Sequence, residues 1–361
     1  MTILRHVPIG SVRALFLSQE GYALDIALKW AEVLGVSVES FRHFRTPGRD
    51  RLDPKEAHKL DLPGRLASTS SVHIGRVLWL VRMTRLDLAQ PLMRLQRRTT
   101  TWSVAEDESL HRLYAYTYHS RAAGLWILAD ILARGRRAIL TWSDADHRND
   151  PIATANSTST GLVTIGSSLR VKAPLDWLCK TQGSTARSTA EAEATSASDV
   201  AFGLAVPIQE TISQCTGQTL PIVHGVDASA LIGAVEKGHS RKLAYMKRHQ
   251  GVSISSLNDL YVANSDGNKM VKEPSGLMPV DQMTKPLSVE LHERGMRLLG
   301  MGYFKDGPPG LEGSTFGPAD AAREEESARA RPQPAASPEE REEADAAAGP
   351  HRSSSSSSRR D

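Results

Sequence analysis

Three short apolar stretches follow one another from Ala138, and a long helical stretch comes after them, an order that few folds accommodate. Ala138 to Ser143, Gly161 to Gly166 and Leu175 to Lys180 read as strands, separated by connectors rich in Asn, Ser, Thr and Pro. Ser188 to Ser213 reads as a helix, with Gly203 and Pro207 as the places where it kinks or splits. Pro221 to Val226 is then a strand, Ala228 to Glu236 a helix and Leu257 to Val262 a strand, before a terminal helix opening at Asp281. Strands in sequence followed by alternating helices and strands predict an α/β fold, a mixed sheet with helices packed on its faces.

Upstream, residues 68–135 read as helical. Ile74, Val77, Leu78 and Val81 recur at helical spacing, and a second amphipathic stretch runs from Leu86 to Leu95. Ser103-Val-Ala-Glu106 has the pattern of a capping box, followed by Leu110, Leu113, Tyr114 and Thr117 on one face. Arg82, Arg85, Arg94, Arg97 and Arg98 are open to two readings that periodicity does not separate, a nucleic-acid-facing row or an ordinary solvated face.

From Asp306 the chain turns Pro-, Gly-, Ala- and Glu-rich and ends in a serine run, Ser353 to Ser358, a composition expected to stay disordered. This tail holds 12 acidic against 7 basic residues, although the whole chain of 361 carries a net +3. The body is therefore basic, a mild pointer to a polyanionic partner. Two cysteines exclude a disulfide scaffold and a multi-cysteine zinc site. With no signal-peptide pattern at the start and no apolar run of membrane-spanning length, an intracellular chain is expected, in cytoplasm or nucleus and not secreted.

Four carboxylates stand where chemistry is often built. Asp144 follows the first strand, Glu193 lies in the first turns of the long helix, Asp227 ends the fourth strand and Asp281 opens the terminal helix. Sheet ends and helix starts can converge at the carboxyl edge of a sheet. Carboxylates within about 4–6 Å of each other repel unless a cation offsets them, and hard divalent ions prefer oxygen ligands. Taken singly, each has a plain structural role open to it. Asp144 and Asp146 can end a strand, while Asp227 and Asp281 are good helix caps. Asp144 to Ala155 lacks the glycine and the final glutamate of a calcium loop. Glu191 and Glu193 are two apart on a helix, so at most one faces a common site.

The motifs around these residues resemble the ribonuclease H region that closes the Pol polyprotein of copia-type long-terminal-repeat retrotransposons. Ser143-Asp-Ala-Asp146, Asn156-Ser-Thr-Ser-Thr-Gly161, Asp176-Trp-Leu-Cys-Lys-Thr-Gln182, Ser188-Thr-Ala-Glu-Ala-Glu193, Val226-Asp-Ala-Ser-Ala-Leu-Ile232 and Asp281-Gln-Met-Thr-Lys-Pro-Leu287 carry the likeness in order. His239-Ser-Arg-Lys242 is similar to a further family motif. Upstream, Leu17-Ser-Gln-Glu-Gly-Tyr22 and Gly75 to Ala89 resemble the segment past the polymerase palm and the connection segment, with Leu86 where proline is usual. No Asp-Asp pair exists, so the polymerase motif is absent.

The resemblance implies a ribonuclease H-like five-stranded mixed sheet flanked by helices, preceded by a small helical connection subdomain. It divides the chain into a post-palm remnant at 1–60, a connection-like part at 61–135, a ribonuclease H-like domain at 136–305 and a tail at 306–361. It implies hydrolysis of the RNA strand of RNA–DNA hybrids with two Mg²⁺ ions, or Mn²⁺ in their place. Asp144, Glu193, Asp227 and Asp281 would be the catalytic and metal-binding residues. Arg241, Lys242, Lys247 and Arg248 would meet substrate phosphates, an equal alternative being a solvated helix. A separate polymerase chain is an implied partner. The alternatives are a catalytically inactive nucleic-acid-binding remnant of the same fold, and a structural α/β protein with scattered cap aspartates. The tail and Asn264-Ser-Asp-Gly-Asn268, read as an inserted loop, have no counterpart in the family.

Overall fold

In the computed structural model the described residues are 3–9, 11–49, 54–130, 137–146, 156–168, 171–183, 185–239, 254–309 and 311. Strands β1 (Ile3–Ile9), β2 (Val12–Ser18), β3 (Ala123–Asp130) and β9 (Met301–Tyr303) form one antiparallel sheet, in the order β1-β2-β3-β9. Strands β4 (Ala138–Asp146), β5 (Thr158–Gly166), β6 (Lys172–Thr181), β7 (Ile222–Val226) and β8 (Lys269–Lys272) form the second, in the order β6-β5-β4-β7-β8. Here β4, β5 and β6 run antiparallel by short connections, whereas β7 and β8 lie parallel to β4. Parallel neighbours need crossovers. The first is α5 (Thr189–Val200) with α6 (Val206–Thr216), and the second begins with α7 (Ser229–Lys237). The expected mixed five-stranded sheet flanked by helices is thus present.

Helices α1 (Glu20–Leu34), α2 (Ser70–Met83), α3 (Ala89–Arg97) and α4 (Val104–His119) cover one face. The short α8 (Asp281–Thr284) and α9 (Val289–Leu298) precede β9. Alternation along β4 and β5 feeds two cores. Trp142 and Leu162 pack with α1–α4 and with Trp177, whereas Ile139 and Val163 pack under α5–α7. Gly161 permits the close approach of α5, since a side chain there would collide with Val200. The capping box forms as its pattern predicts: Glu106 accepts from the Ser103 backbone N–H at 2.9 Å, and the Ser103 hydroxyl accepts from Ala105.

The long helix breaks where expected. Residues Ala201–Ala205 widen into a π-helical turn, and Pro207, which cannot donate a backbone hydrogen bond, sits at the start of α6.

Two segments differ from the sequence reading. Residues 123–130, read as helical, are β3; its nearly continuous apolar run buries on both sides, which erases the periodicity that separates strand from helix. Leu257 to Val262, read as a strand, is helical, because Ile254, Leu257 and Tyr261 bury one helical face. The fifth strand is β8, entered through a turn at Asp266 and Gly267, both with positive φ, inside the stretch read as an inserted loop. Among the described residues, no helix is long and apolar enough to cross a membrane.

Candidate metal centre

Parallel pairing of β4 and β7 sets the register, Trp142 opposite Gly225. Two residues further on, the same face of the sheet carries Asp144 and, just past β7, Asp227. Beneath them, on the opposite face, the His224 ring bridges the Ser143 hydroxyl at 2.9 Å and the Tyr261 hydroxyl at 2.8 Å. Burial pushes the His224 pKa down to about 3, so the ring is neutral and locks the two strands together from below.

Helix α5 supplies the third carboxylate. Its N-terminus is capped by Ser188, whose hydroxyl accepts from the Glu191 N–H, while Glu191 accepts from the Arg187 N–H at 2.8 Å. Glu191 is therefore the capping glutamate and Glu193 the one that faces the sheet, which resolves the choice spacing had left open. Ser196, one turn beyond Glu193, donates to the backbone carbonyl of Asp144 at 2.7 Å and pins the helix over β4. Asp144, Glu193 and Asp227 each offer a carboxylate oxygen, all within 4.8 Å of one another.

Asp144 and Glu193 are 1% and 4% exposed, and Asp227 is half-buried. Glu193 receives the Ala145 backbone N–H, yet its Oε2 is buried with no hydrogen-bond partner. Burial first, and then the charges of Asp144 and Asp227, raise its pKa to about 9. A carboxylate held in this way takes up a proton unless a cation arrives. Three clustered oxygen donors, one of them unsatisfied, fit a hard divalent ion.

Asp281 lies outside that trio. It is the first residue of α8 rather than its cap, and Asp227 precedes the cap of α7, so neither has the plain capping role open to it in the sequence. Asp281 and Asp144 share Lys285, whose Nζ lies 3.2 Å from Asp281 and 3.3 Å from Asp144. Thr284 donates to Asp144 Oδ2 at 2.7 Å. Burial and then Asp144 raise the Asp281 pKa to about 6, and Lys285 opposes them. Burial disfavours the Lys285 charge, but Asp144 and Asp281 outweigh it and push its pKa up. Thr284 and Lys285 went unrecognised as site residues in the sequence. The available signal was their spacing, three and four residues after Asp281 on one helical face. Arg241, Lys242, Lys247 and Arg248 lie outside the described residues.

No family model and no curated protein matches the chain. Among solved structures, the chain is similar to RNase H1 from the halophilic archaeon Halobacterium salinarum NRC-1, with 11% identity over 41% of this chain and 91% of that one, TM-score 0.26. The RNase H domain of PFV matches at 11% identity over 46% and 94%, TM-score 0.28. The protease-reverse transcriptase of prototype foamy virus matches at 11% identity over 46% of this chain and 20% of that one, TM-score 0.25. At TM-scores this low the likeness carries no weight of its own, and the architecture stands on the strands and their order.

Proposed function

We propose that this chain is a ribonuclease H-type endonuclease that hydrolyses the RNA strand of RNA–DNA hybrids, and that it derives from a copia-type element. The observation that carries the proposal is the convergence of Asp144, Glu193 and Asp227 from two strand ends and a helix, with an unsatisfied buried oxygen on Glu193. Asp144 and Asp227 would hold the divalent ions from the sheet and Glu193 from the helix, and Asp281 of α8 would help to position them. When bound, a pair of Mg²⁺ ions supplies an activated water and offsets the charge on the departing oxygen. The residues do the positioning. Ser196 and Thr160 hold the Asp144 backbone, and the neutral His224 fixes the spacing of β4 against β7. The 2′-hydroxyls of the RNA strand are the feature that separates a hybrid from duplex DNA. The division at residues 60, 135 and 305 belongs to the same proposal as a division by origin and not by independent folding, as does a separate polymerase chain as partner.

Incubating the full chain with a labelled hybrid and Mg²⁺ tests the proposal. Cleavage should fall more than about a hundredfold in Asp144→Asn and in Asp227→Asn, beyond the loss usual for a residue that merely supports a ligand. Cleavage that survives both substitutions refutes the assignment. A second reading, a binding remnant without turnover, is favoured by Lys285 and Thr284, which already satisfy part of Asp144. It requires salt-sensitive hybrid binding with no Mg²⁺-dependent cleavage by the unsubstituted chain.

A further inference from the structure

Three residues of α8 are tied to their surroundings. Asp281 pairs with Lys285, Thr284 donates to Asp144 Oδ2, and the Met283 carbonyl accepts from the Cys179 thiol. The fourth, Gln282, is 3% exposed, and both its amide nitrogen and its amide oxygen are buried with no hydrogen-bond partner. Turning the amide over exchanges the two atoms and satisfies neither. Room for this side chain comes from α9, where a side chain at Gly295 would collide with the amide oxygen. Buried amides find partners, and where the protein offers none an ordered water completes the bonding.

Gln282 lines a crevice of about 10 Å³ between α3, α8 and α9, whose other polar walls include Asp87, Gln90, Lys285 and His292. That volume is the size of one water. His292 brings an acceptor to it. Burial opposes the Asp87 charge, but Arg85 outweighs it, so Asp87 stays ionised and can only accept. The single Tyr116 hydroxyl proton goes to Asp87 at 3.1 Å, and the 2.8 Å bond between Tyr116 and His292 Nε2 then requires a proton on that nitrogen. Burial lowers the His292 pKa and keeps the ring neutral, so Nδ1 is a bare acceptor.

We propose that the crevice binds one ordered water, which accepts from the Gln282 amide and donates to the His292 ring, and that Gln282 is a positioning residue for the acidic centre. The water joins α8 to the Asp87–Tyr116–His292 chain, and so to Arg85 and the N-terminal helical layer. Helix α8 is the element that sets Thr284 and the Asp281–Lys285 pair against Asp144. Its place over the sheet is thereby fixed from outside the sheet. The water stands on the geometry of the crevice, whereas the consequence for metal rests on the nuclease reading.

Two measurements on the full chain test the water. A crystal structure at atomic resolution should show it within hydrogen-bond distance of Gln282 and His292, and an amide with no water beside it overturns the proposal. Thermal unfolding in EDTA reads the same question by its sign. Gln282→Met keeps the length of the side chain and removes the amide, and Tm should fall by about 2–4 °C because a satisfied bond is lost. An unchanged or higher Tm, the response of an amide that had no partner to lose, overturns it as well. The positioning role is read in Mn²⁺ affinity by titration calorimetry, which should drop about tenfold in Gln282→Met with native circular dichroism. Unchanged affinity overturns that role. Failure of the unsubstituted chain to bind Mn²⁺ removes the nuclease reading and the positioning role with it, while the crystal structure and the Tm still decide the water.

Discussion

Two buried charged assemblies in this molecule are built on opposite principles. In one, Arg85 grips Asp87 through two hydrogen bonds of 2.9 and 2.8 Å and reaches the Ser120 carbonyl and hydroxyl, while Tyr116 donates to Asp87. Burial opposes both charges there, but each partner outweighs it, so Arg85 is shifted up and Asp87 down. Every charge has its counterpart. In the other, Asp144, Glu193 and Asp227 crowd together with one lysine at the rim and an unsatisfied oxygen within. The first assembly is complete as it stands, and the second is complete only with something added. That difference separates a structural ion pair from a site.

Breaking each assembly should therefore have opposite consequences. Arg85→Ala leaves Asp87 buried without its partner and should cost about 3–5 kcal/mol in urea unfolding. Glu193→Gln should leave the metal-free chain as stable or more stable near pH 8, because it removes a carboxyl whose charge the fold opposes.

The pH dependence follows from the same contrast. Glu193 has a folded pKa of about 9 against 4.5 for the free group, so the folded chain binds more protons. Its contribution to stability is whole below about pH 4.5 and is lost as pH climbs toward 9. Saturating Mg²⁺ should reverse that loss. At a hundredfold excess over Kd it adds about 2.7 kcal/mol, a rise in Tm of about 5–10 °C by calorimetry. A Tm indifferent to Mg²⁺ at pH 8 would erase the distinction between the assemblies.

Smaller effects sharpen it. Lys285→Met takes away the cation that competes at Asp144, so Mn²⁺ affinity by titration calorimetry should rise about tenfold. Glu191→Ala, two residues from Glu193, should cost about 1 kcal/mol of stability through its cap and leave cleavage untouched.

How far these features were legible in the sequence depends on whether local pattern or distant packing decides them. The strands β4 to β7, the helix break at Pro207 and the Ser103 capping box are local, and their residues announce them. Asp144, Glu193 and Asp227 were legible as sheet-end and helix-start positions, but only the β4–β7 register brings them together. Strand β3 was hidden because its partners β2 and β9 are far away in the chain and most of its residues, on both faces, are buried. Strand β8 was hidden because four residues flanked by lysines carry no alternation strong enough to read. Lys285 was in plain view, yet nothing local says that Asp144 stands 3.3 Å from it.

Strand β9 pairs with β3 through Ala123, Gly124 and Leu125, and Phe304 stacks on Trp126 just beyond it. The end of the described chain is thus fastened to a strand that precedes the five-stranded sheet. Lys172 of β6 holds the Leu298 carbonyl on the way there. A cut between β3 and β4 would free no independent half: the second piece would leave with a strand whose one partner among the described residues stayed behind. The two sheets are clasped by their own chain, and a folded unit taken from this protein has to begin well upstream of the strand that carries Asp144.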